Sequence, residues 1–536
     1  MDTTYVKRNV STLGGKKYHS ELLVESYRES NTIKHRTIAN LSHCSPEEID
    51  AIDFALKNKK DLASCVNLNT SKKKQGKSIG AIFVLNEVAK RLGIVDAFGT
   101  SREANLCLWM TIGRLIQPGQ SRLAAVRLSE QHAIRELLGL DEFSEDDLYN
   151  ALDWLDLRRK KMETRLFSQR FSEAKPILYM YDVTSSYLEG TENEYAAFGY
   201  GRDKKEGKMQ IVIGLLTDAE GWPISVEVFE GNTLDFYTFY SQVRKLANQF
   251  GCEQVAMVGD KGMIKSAQIE DIQDHNFLYI TTITKAQIEK LLKQGTFQME
   301  LFTEELHEVK SGNDRFILRR NPVRAKQIVD SRKDRLEVLN QFILQQNEYL
   351  IDHPRAELEV ALRKINERID KLCIDEFVKV QAEGRNLQLL INRNSLEGSD
   401  LLDGCYVVRS NIPLDAASKE TIHGRYKALS HVEDGFRIMK TEFLEIRPLF
   451  LRLASRTRAH VFIVMLSYMI AKYLEERWKT FDLTVKEAVA ALAAIHPVTL
   501  EYRNTKISFV PEPLPIVARL IDALDLVLPP FVPSAR

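Results

Sequence analysis

The sequence predicts an α/β protein: a mixed β-sheet with helical cover, a large insertion before the last helix of that unit, and a β-hairpin and a helical region ahead of it. Three observations predict it. Helix-periodic apolar residues run to about Ser172 and give way at Pro176 to β-rich runs. Those runs then alternate with helical ones in the order β-β-β-α-β-α-β. A long charged helical stretch interrupts them, and the helical segment RYKALSHVEDGFRIMK follows it.

Taken in order, residues 1–77 read as a hairpin module and linker. ELLVESYRES and KHRTIANL alternate and flank the turn SNT. SPEE at Ser45 offers an N-cap, a proline at the first helical position and acids in the first turn, so a helix is expected from Ser45 to Lys57. KKKQGK, from Lys72 to Lys77, reads as a charged linker without the glycine spacing of a phosphate loop. Residues 78–175 are helical. Apolar residues recur every three or four positions in IGAIFVLNEVAKRLGIVDAF, NLCLWMTIGRLI and DLYNALDWL, punctuated by Gly93, Pro118–Gly119 and Gly139.

Residues 176–283 begin the sheet. ILYMYDVTSSYLEG is one strand run, and GKMQIVIGLLTDAEGWPISVEVFEG is two strands joined at Asp218–Gly221. TFYSQVRKLANQFG is a helix, CEQVAMVGD a strand, SAQIEDIQDH a helix and FLYITTI a strand. Residues 284–413 are the insertion, helical and charged from roughly Ala325 to Val380, with β-like LQLLINR and GCYVVRS after that. Residues 414–475 return to the sheet unit, and 476–536 form a helical tail containing VKEAVAALAA and a short helix near Ile516–Leu524.

Composition bounds the rest. Hydrophobic residues make up 44% and charged residues 28% of the 536, enough for a large core. Lys+Arg and Asp+Glu both number 74, so any polyanion must be met by local patches. The six cysteines are scattered without a C-x-x-C pair, which argues against a disulfide framework or a zinc site and for a reducing compartment. The polar N-terminus lacks the apolar core of a signal peptide. The most apolar stretch, Val461 to Ile470, is too short to span a bilayer and reads as a buried helix.

Three carboxylates stand out. Asp182 lies inside a strand among Tyr179, Met180, Tyr181 and Val183, where burial is costly without a partner or a metal. Asp260 follows the strand VAMV between Gly259 and Gly262, which let the chain turn sharply. With strands one and four as neighbours the two acids meet, although 78 positions separate them. Glu433 shares a helical stripe with Tyr426 and Lys440, spaced by seven, with Arg437 close to the stripe and Phe436 placed to pack on the sheet. Such carboxylates suit two Mg²⁺ ions, which take oxygen ligands and promote in-line displacement at phosphorus. Among 74 acids any three can be chosen by eye, and a structural role is the ordinary fate of each alone.

At these residues the sequence resembles the DDE transposases of bacterial insertion sequences, in the branch with a Tyr-x2-Arg-x3-Glu-x6-Lys signature. YDVTSSYLEG, VGDKGM, YKALSHVEDGFRIMK, TEFLEIRPLF and RTRAHVFIVMLSYMI carry the resemblance, which runs from Leu178 to Ile470. It implies an RNase H-like core in which Asp182, Asp260 and Glu433 are catalytic and hold two Mg²⁺ or Mn²⁺ ions. Tyr426 and Lys440 would contact DNA near the cleaved end. The signature arginine is Leu429 in this chain; that contact is either absent or supplied by Arg425 or Arg437.

The resemblance further implies a protein that binds terminal inverted repeats, cuts them and joins them to target DNA as a homodimer on double-stranded DNA, in the cytoplasm at the nucleoid, with no membrane association. Two patches suit phosphate contact. Nine Lys/Arg face three acids between Lys310 and Arg335, with Arg319, Arg320 and Arg324 as candidate contacts, and four Arg lie between Arg447 and Arg458. Most charge runs are simply solvated faces. The helical region 78–175 is the candidate reader of DNA ends, through RLAAVRLSEQHAIREL with Arg122, Arg127 and Arg135. Rival readings are an RNase H-like nuclease without strand transfer and a DNA-binding relic that no longer cuts.

Overall fold

The computed structural model describes residues 3–13, 16–29, 32–59, 72–202, 205, 207–253, 255–264, 269, 272, 277–447, 449–502 and 505–530. They divide into two compact units, Met1–Gly76 with Pro497–Pro511, and Lys77–His496 with Glu512–Pro529.

In the first unit, β1 (Thr3–Leu13), β2 (Lys16–Glu29) and β3 (Thr32–Asn40) form an antiparallel meander, one strand more than the expected hairpin. The helix Pro46–Lys57 starts where SPEE places it. The Ser45 hydroxyl accepts the Glu48 amide, and the Glu48 carboxylate accepts the Ser45 amide. The lysine run expected as a linker is instead a strand, β4 (Lys72–Gln75), whose four side chains are all exposed. It pairs with Val498–Tyr502, which pairs in turn with Thr505–Phe509, so the tail expected as helical carries two strands. KKKQ holds no apolar residue to mark a sheet face, and backbone pairing alone defines it.

The second unit is organised by an eight-stranded mixed sheet. Its strands are β5 (Leu178–Tyr187), β6 (Gln210–Asp218), β7 (Pro223–Glu230), β8 (Ala256–Val258), β9 (Leu278–Thr282), β10 (His307–Ser311), β11 (Asp314–Arg320) and β14 (Cys405–Ser410), in the order β10-β11-β14-β9-β8-β5-β6-β7. β8 pairs in parallel with both β5 and β9, and the other pairs are antiparallel. The expected β-β-β-α-β order and the β5–β8 adjacency hold. The SAQIEDIQDH helix lies mostly outside the described residues.

Alternation along β5 divides its side chains between two faces. Tyr181 and Val183 enter a core with Leu216, Phe239, Val243 and Phe167. Tyr181 fits because the nearby position on β6 is Gly214, where a Cβ would lie 2.1 Å from the tyrosine hydroxyl. Asp182 points to the other face, beside its cross-strand partner Leu215.

The insertion is not a detached module. β10, β11 and β14 extend the sheet beyond β9 over a core that holds Ile288, Phe297, Phe302, Phe316 and Leu318, and the helices Pro322–Asp352 and Leu358–Leu372 with the hairpin of β12 (Val378–Glu383) and β13 (Asn386–Ile391) build another.

Helices of region 78–175 pack round the long helix Ala454–Trp478, whose stretch from Val461 to Ile470 is buried as expected. Arg122 and Arg114 are buried within them. Arg122 bonds His460 at 2.6 Å, and Arg114 donates to the carbonyls of Leu444 (3.0 Å) and Glu445 (2.8 Å). Arg122 therefore faces protein, while Arg127 and Arg135 are exposed. No helix among the described residues is long and apolar enough to cross a membrane.

Candidate active site

Register brings the first two acids together. Met180 on β5 pairs with Val258 on β8, and Asp182 and Asp260 each lie two residues further along parallel chains. After β8 the chain turns at once: the Asp260 carbonyl accepts the Met263 amide at 2.9 Å, and its Oδ1 accepts the Lys261 amide at 2.7 Å. The flanking glycines do not supply a left-handed turn, because neither has positive φ. Gly259 supplies space, since a Cβ there would stand 3.2 Å from Phe239, whereas one on Gly262 would make ordinary contact, 3.6 Å from the Asp235 carboxylate.

The third acid comes from a helix laid on β5 and β6. The expected continuous helix is jointed: Lys419–Lys427, a tight turn at Ala428–Leu429, Ser430–Arg437, and a π-helical turn Ile438–Glu442. Val432, Gly435 and Phe436 are buried, and Glu433 is left exposed beside them. Gly435 seats the helix closely, since a Cβ there would lie 3.2 Å from Leu215, the strand partner of Asp182. Beneath the same helix the β6–β7 turn passes through Gly221 (φ 78°), where a Cβ would come within 2.7 Å of the His431 Cβ.

Asp182, Asp260 and Glu433 consequently line one cavity of about 450 Å³, with Arg202, Asp235 and Tyr426. Burial pushes the Asp182 carboxyl up to about 7; the carboxylates of Glu433 and Asp260 add to the rise, and the Val183 amide and the Arg202 guanidinium oppose it. Asp235 pairs with Arg202 at 2.5 Å. Among the described residues no three His, Cys, Asp or Glu side chains converge on one point. The chemistry of the donor set nevertheless fits a hard divalent cation: oxygen donors alone, and a desolvated carboxylate that its acidic neighbours destabilise.

The other residues singled out in the sequence separate into two groups. Tyr426 lines the cavity, its hydroxyl 3.2 Å from that of Thr282, and Leu429 lines it where the signature has arginine. Lys440 reaches β5, donating to Thr184 Oγ1 at 3.0 Å and the Ser185 carbonyl at 2.5 Å. Arg437 is exposed and pairs with Asp434 at 3.0 Å. Much of the charge in the two basic patches is engaged within the protein. Arg319 and Arg320 donate to the carbonyls of Glu304 and Asp403. Arg315 is buried on Glu308 and three carbonyls, Arg332 pairs with Asp400 and Asp403, and Arg456 and Arg458 pair with Asp153 and Asp156. Of the three candidates from the first patch, Arg324 lines a cavity that Asp260 and Tyr426 also line. Sequence reasoning missed Arg202 and Asp235. Asp235 opens the helix Asp235–Arg244, so an acid in a first turn was its only signal.

Two family profiles match the chain. Residues 6–65 match the N-terminal domain of the IS1634 family transposases. Residues 173–470, more than half of the chain, match the transposase DDE domain. Among solved structures, a chain from the cryo-EM structure of the piggyBac transposase synaptic complex with hairpin DNA aligns over 78% of this chain and 82% of its own, at 9% identity and a TM-score of 0.37. That likeness is too distant to carry an argument. No curated protein matches.

Proposed function

The chain belongs to the DDE transposase family, and from that premise we propose that it binds the terminal inverted repeats of an insertion sequence, cleaves the DNA ends and joins them to target DNA, acting as a homodimer on DNA. The observation that carries this reading is the lining of one cavity by Asp182, Asp260 and Glu433, from a strand, a strand end and a helix. Domains of this family generally use divalent metal ions, and these three residues would hold two Mg²⁺ or Mn²⁺ ions. Bound there, such ions activate the attacking oxygen and stabilise the leaving one in an in-line displacement at phosphorus.

The chain's own residues do the positioning. Lys440, bonded to Thr184 and Ser185, braces β5 just past Asp182. Arg202 neutralises Asp235, so the cavity keeps three carboxylates for cations rather than four. Tyr426, at the cavity wall, and Lys440 and Arg437 along the helical segment are the proposed contacts to the strand near its cleaved end. With Leu429 at the signature position, no cation stands at that point, and Arg202 is the guanidinium that lines the cavity instead.

The test is cleavage of a labelled duplex carrying the element's own end, with Mg²⁺ or with EDTA. Wild type should cut only with metal, and Asp182→Asn, Asp260→Asn and Glu433→Gln should each bind but not cut. Normal cutting by one variant would remove that residue from the ligand set. A wild type that binds and never cuts would favour the non-catalytic alternative, and cutting without joining to a plasmid target would favour the nuclease.

A further inference from the structure

Beside the carboxylate cavity lies a second one of about 620 Å³, and Asp260 and Tyr426 line both. Four cations line it: Lys261, Lys285, Arg324 and Lys427. Asp260 is the one acid lining it among the described residues. The four come from four separate segments. Lys261 is in the loop after β8, Lys285 opens the helix Lys285–Lys293 after β9, Arg324 is in the first turn of Pro322–Asp352, and Lys427 closes Lys419–Lys427. A solvated charged face places its cations along one element. In this groove the topology brings one from each of four, and two of the four stand on the insertion. Arg324 follows the cap Asn321 at the start of a 31-residue helix, so the positive end of that helix adds to the field. The four side chains are exposed at the groove wall, and Lys285 also pairs with the buried Asp403 at 3.5 Å.

We infer that this groove holds the phosphodiester backbone of the element-end strand, on the side of the cut bond that faces the insertion, with Lys261, Lys285, Arg324 and Lys427 meeting its phosphates. The inference rests on the proposed function, because the carboxylate cavity must hold the phosphate that is cut for the groove to receive its neighbours. Continuity through Asp260 and Tyr426 supplies the path. The charge balance supplies the ligand class, since four cations against Asp260 and the Asp403 that pairs with Lys285 leave an excess of positive charge, which suits a polyanion whose binding releases counterions. The insertion then forms one wall of the substrate channel.

The test measures binding of the labelled end duplex in EDTA across a salt series. It compares wild type with the triple variant Lys261→Ala, Arg324→Ala, Lys427→Ala, and with a control triple, Arg477→Ala, Lys479→Ala, Lys486→Ala, at exposed cations that line neither cavity. Each phosphate contact contributes about 0.9 to the slope of log K against log salt, so the groove variant should lose nearly three units of slope and on the order of tenfold or more in affinity, and the control little of either. With Mg²⁺, half-saturating DNA for cleavage should rise while the rate at saturation stays within a few-fold. Unchanged slope and affinity in EDTA would overturn the inference. So would a loss confined to joining of a precut end, which would assign the groove to target DNA. A wild type that never cuts would refute the proposed function, while the salt slope would still decide whether the groove binds DNA.

Discussion

Asp182→Asn should make the metal-free protein more stable while abolishing cleavage. An aspartate in an unfolded chain titrates near 3.9; burial among acids moves that of Asp182 up to about 7. The fold thus prefers the protonated acid. The stability this contributes is full below about pH 4 and is lost as pH rises through 7, because above it the folded protein must hold a charge that solvent would accept more readily. Three units at 1.36 kcal/mol each set an upper bound of about 4 kcal/mol, reached above pH 7. Asparagine keeps the shape and can still accept from the Val183 amide, but never carries the charge. Thermal midpoints in EDTA at pH 4 to 8 should therefore diverge, the variant standing several degrees above wild type at pH 8, about a third of that gap above it at pH 5, and close to it at pH 4. Adding Mg²⁺ should raise the wild-type midpoint and leave the variant nearly unmoved, since the cation stabilises only the ionised site. A variant that melts below wild type at pH 8 in EDTA, or one whose midpoint follows the same pH course, would refute the view that this carboxylate is strained until a cation arrives.

Two further substitutions test how the helix bearing Glu433 is held. Gly221→Ala places a Cβ against His431 and adds a left-handed backbone penalty of about 1 kcal/mol; displacing the helix should lower cleavage on the order of tenfold or more with DNA affinity in EDTA little changed, and wild-type cleavage would show that Glu433 does not depend on this contact. Arg114→Met removes the donor to the carbonyls of Leu444 and Glu445, just past the π-helical turn, so a cost of about 2 kcal/mol is expected in denaturant midpoints; a neutral result would mean the segment is fixed by other bonds.

What the sequence revealed and what it withheld follow one physical division. The helix after Ser45, the turn at Gly221 and the strand holding Asp182 depend on neighbours a few residues away, and their patterns are local. The meeting of Asp182 with Asp260 is long-range, yet strand order and a parallel register determine it, so the topology was enough. Glu433 needed its helix face alone. The hairpin of β10 and β11 was also written locally, as a turn through Gly312 between EVK and RFIL, but the charge of that stretch drew the reading toward a surface patch.

Charge is where linear reading fails, and the reason bears on function. A run of arginines gives a sum, whereas binding depends on which of them the fold leaves unspent. Arg315 is consumed by carbonyls of Ile412, Pro413 and Ala417, and Arg332 by Asp400 and Asp403, all some seventy to one hundred positions away. Lys261 and Lys427 belong to no run, yet the fold gathers them with Arg324, and with a Lys285 that also pairs with Asp403, round one groove beside the carboxylates. The carboxylates Asp182, Asp260 and Glu433 of the cavity could be found because each occupies a particular place on a strand or helix, and that place leaves a pattern. A phosphate track asks only that cations from any segments end within reach of one backbone, so its residues leave no pattern until the sheet has extended into the insertion and set β14 beside β9.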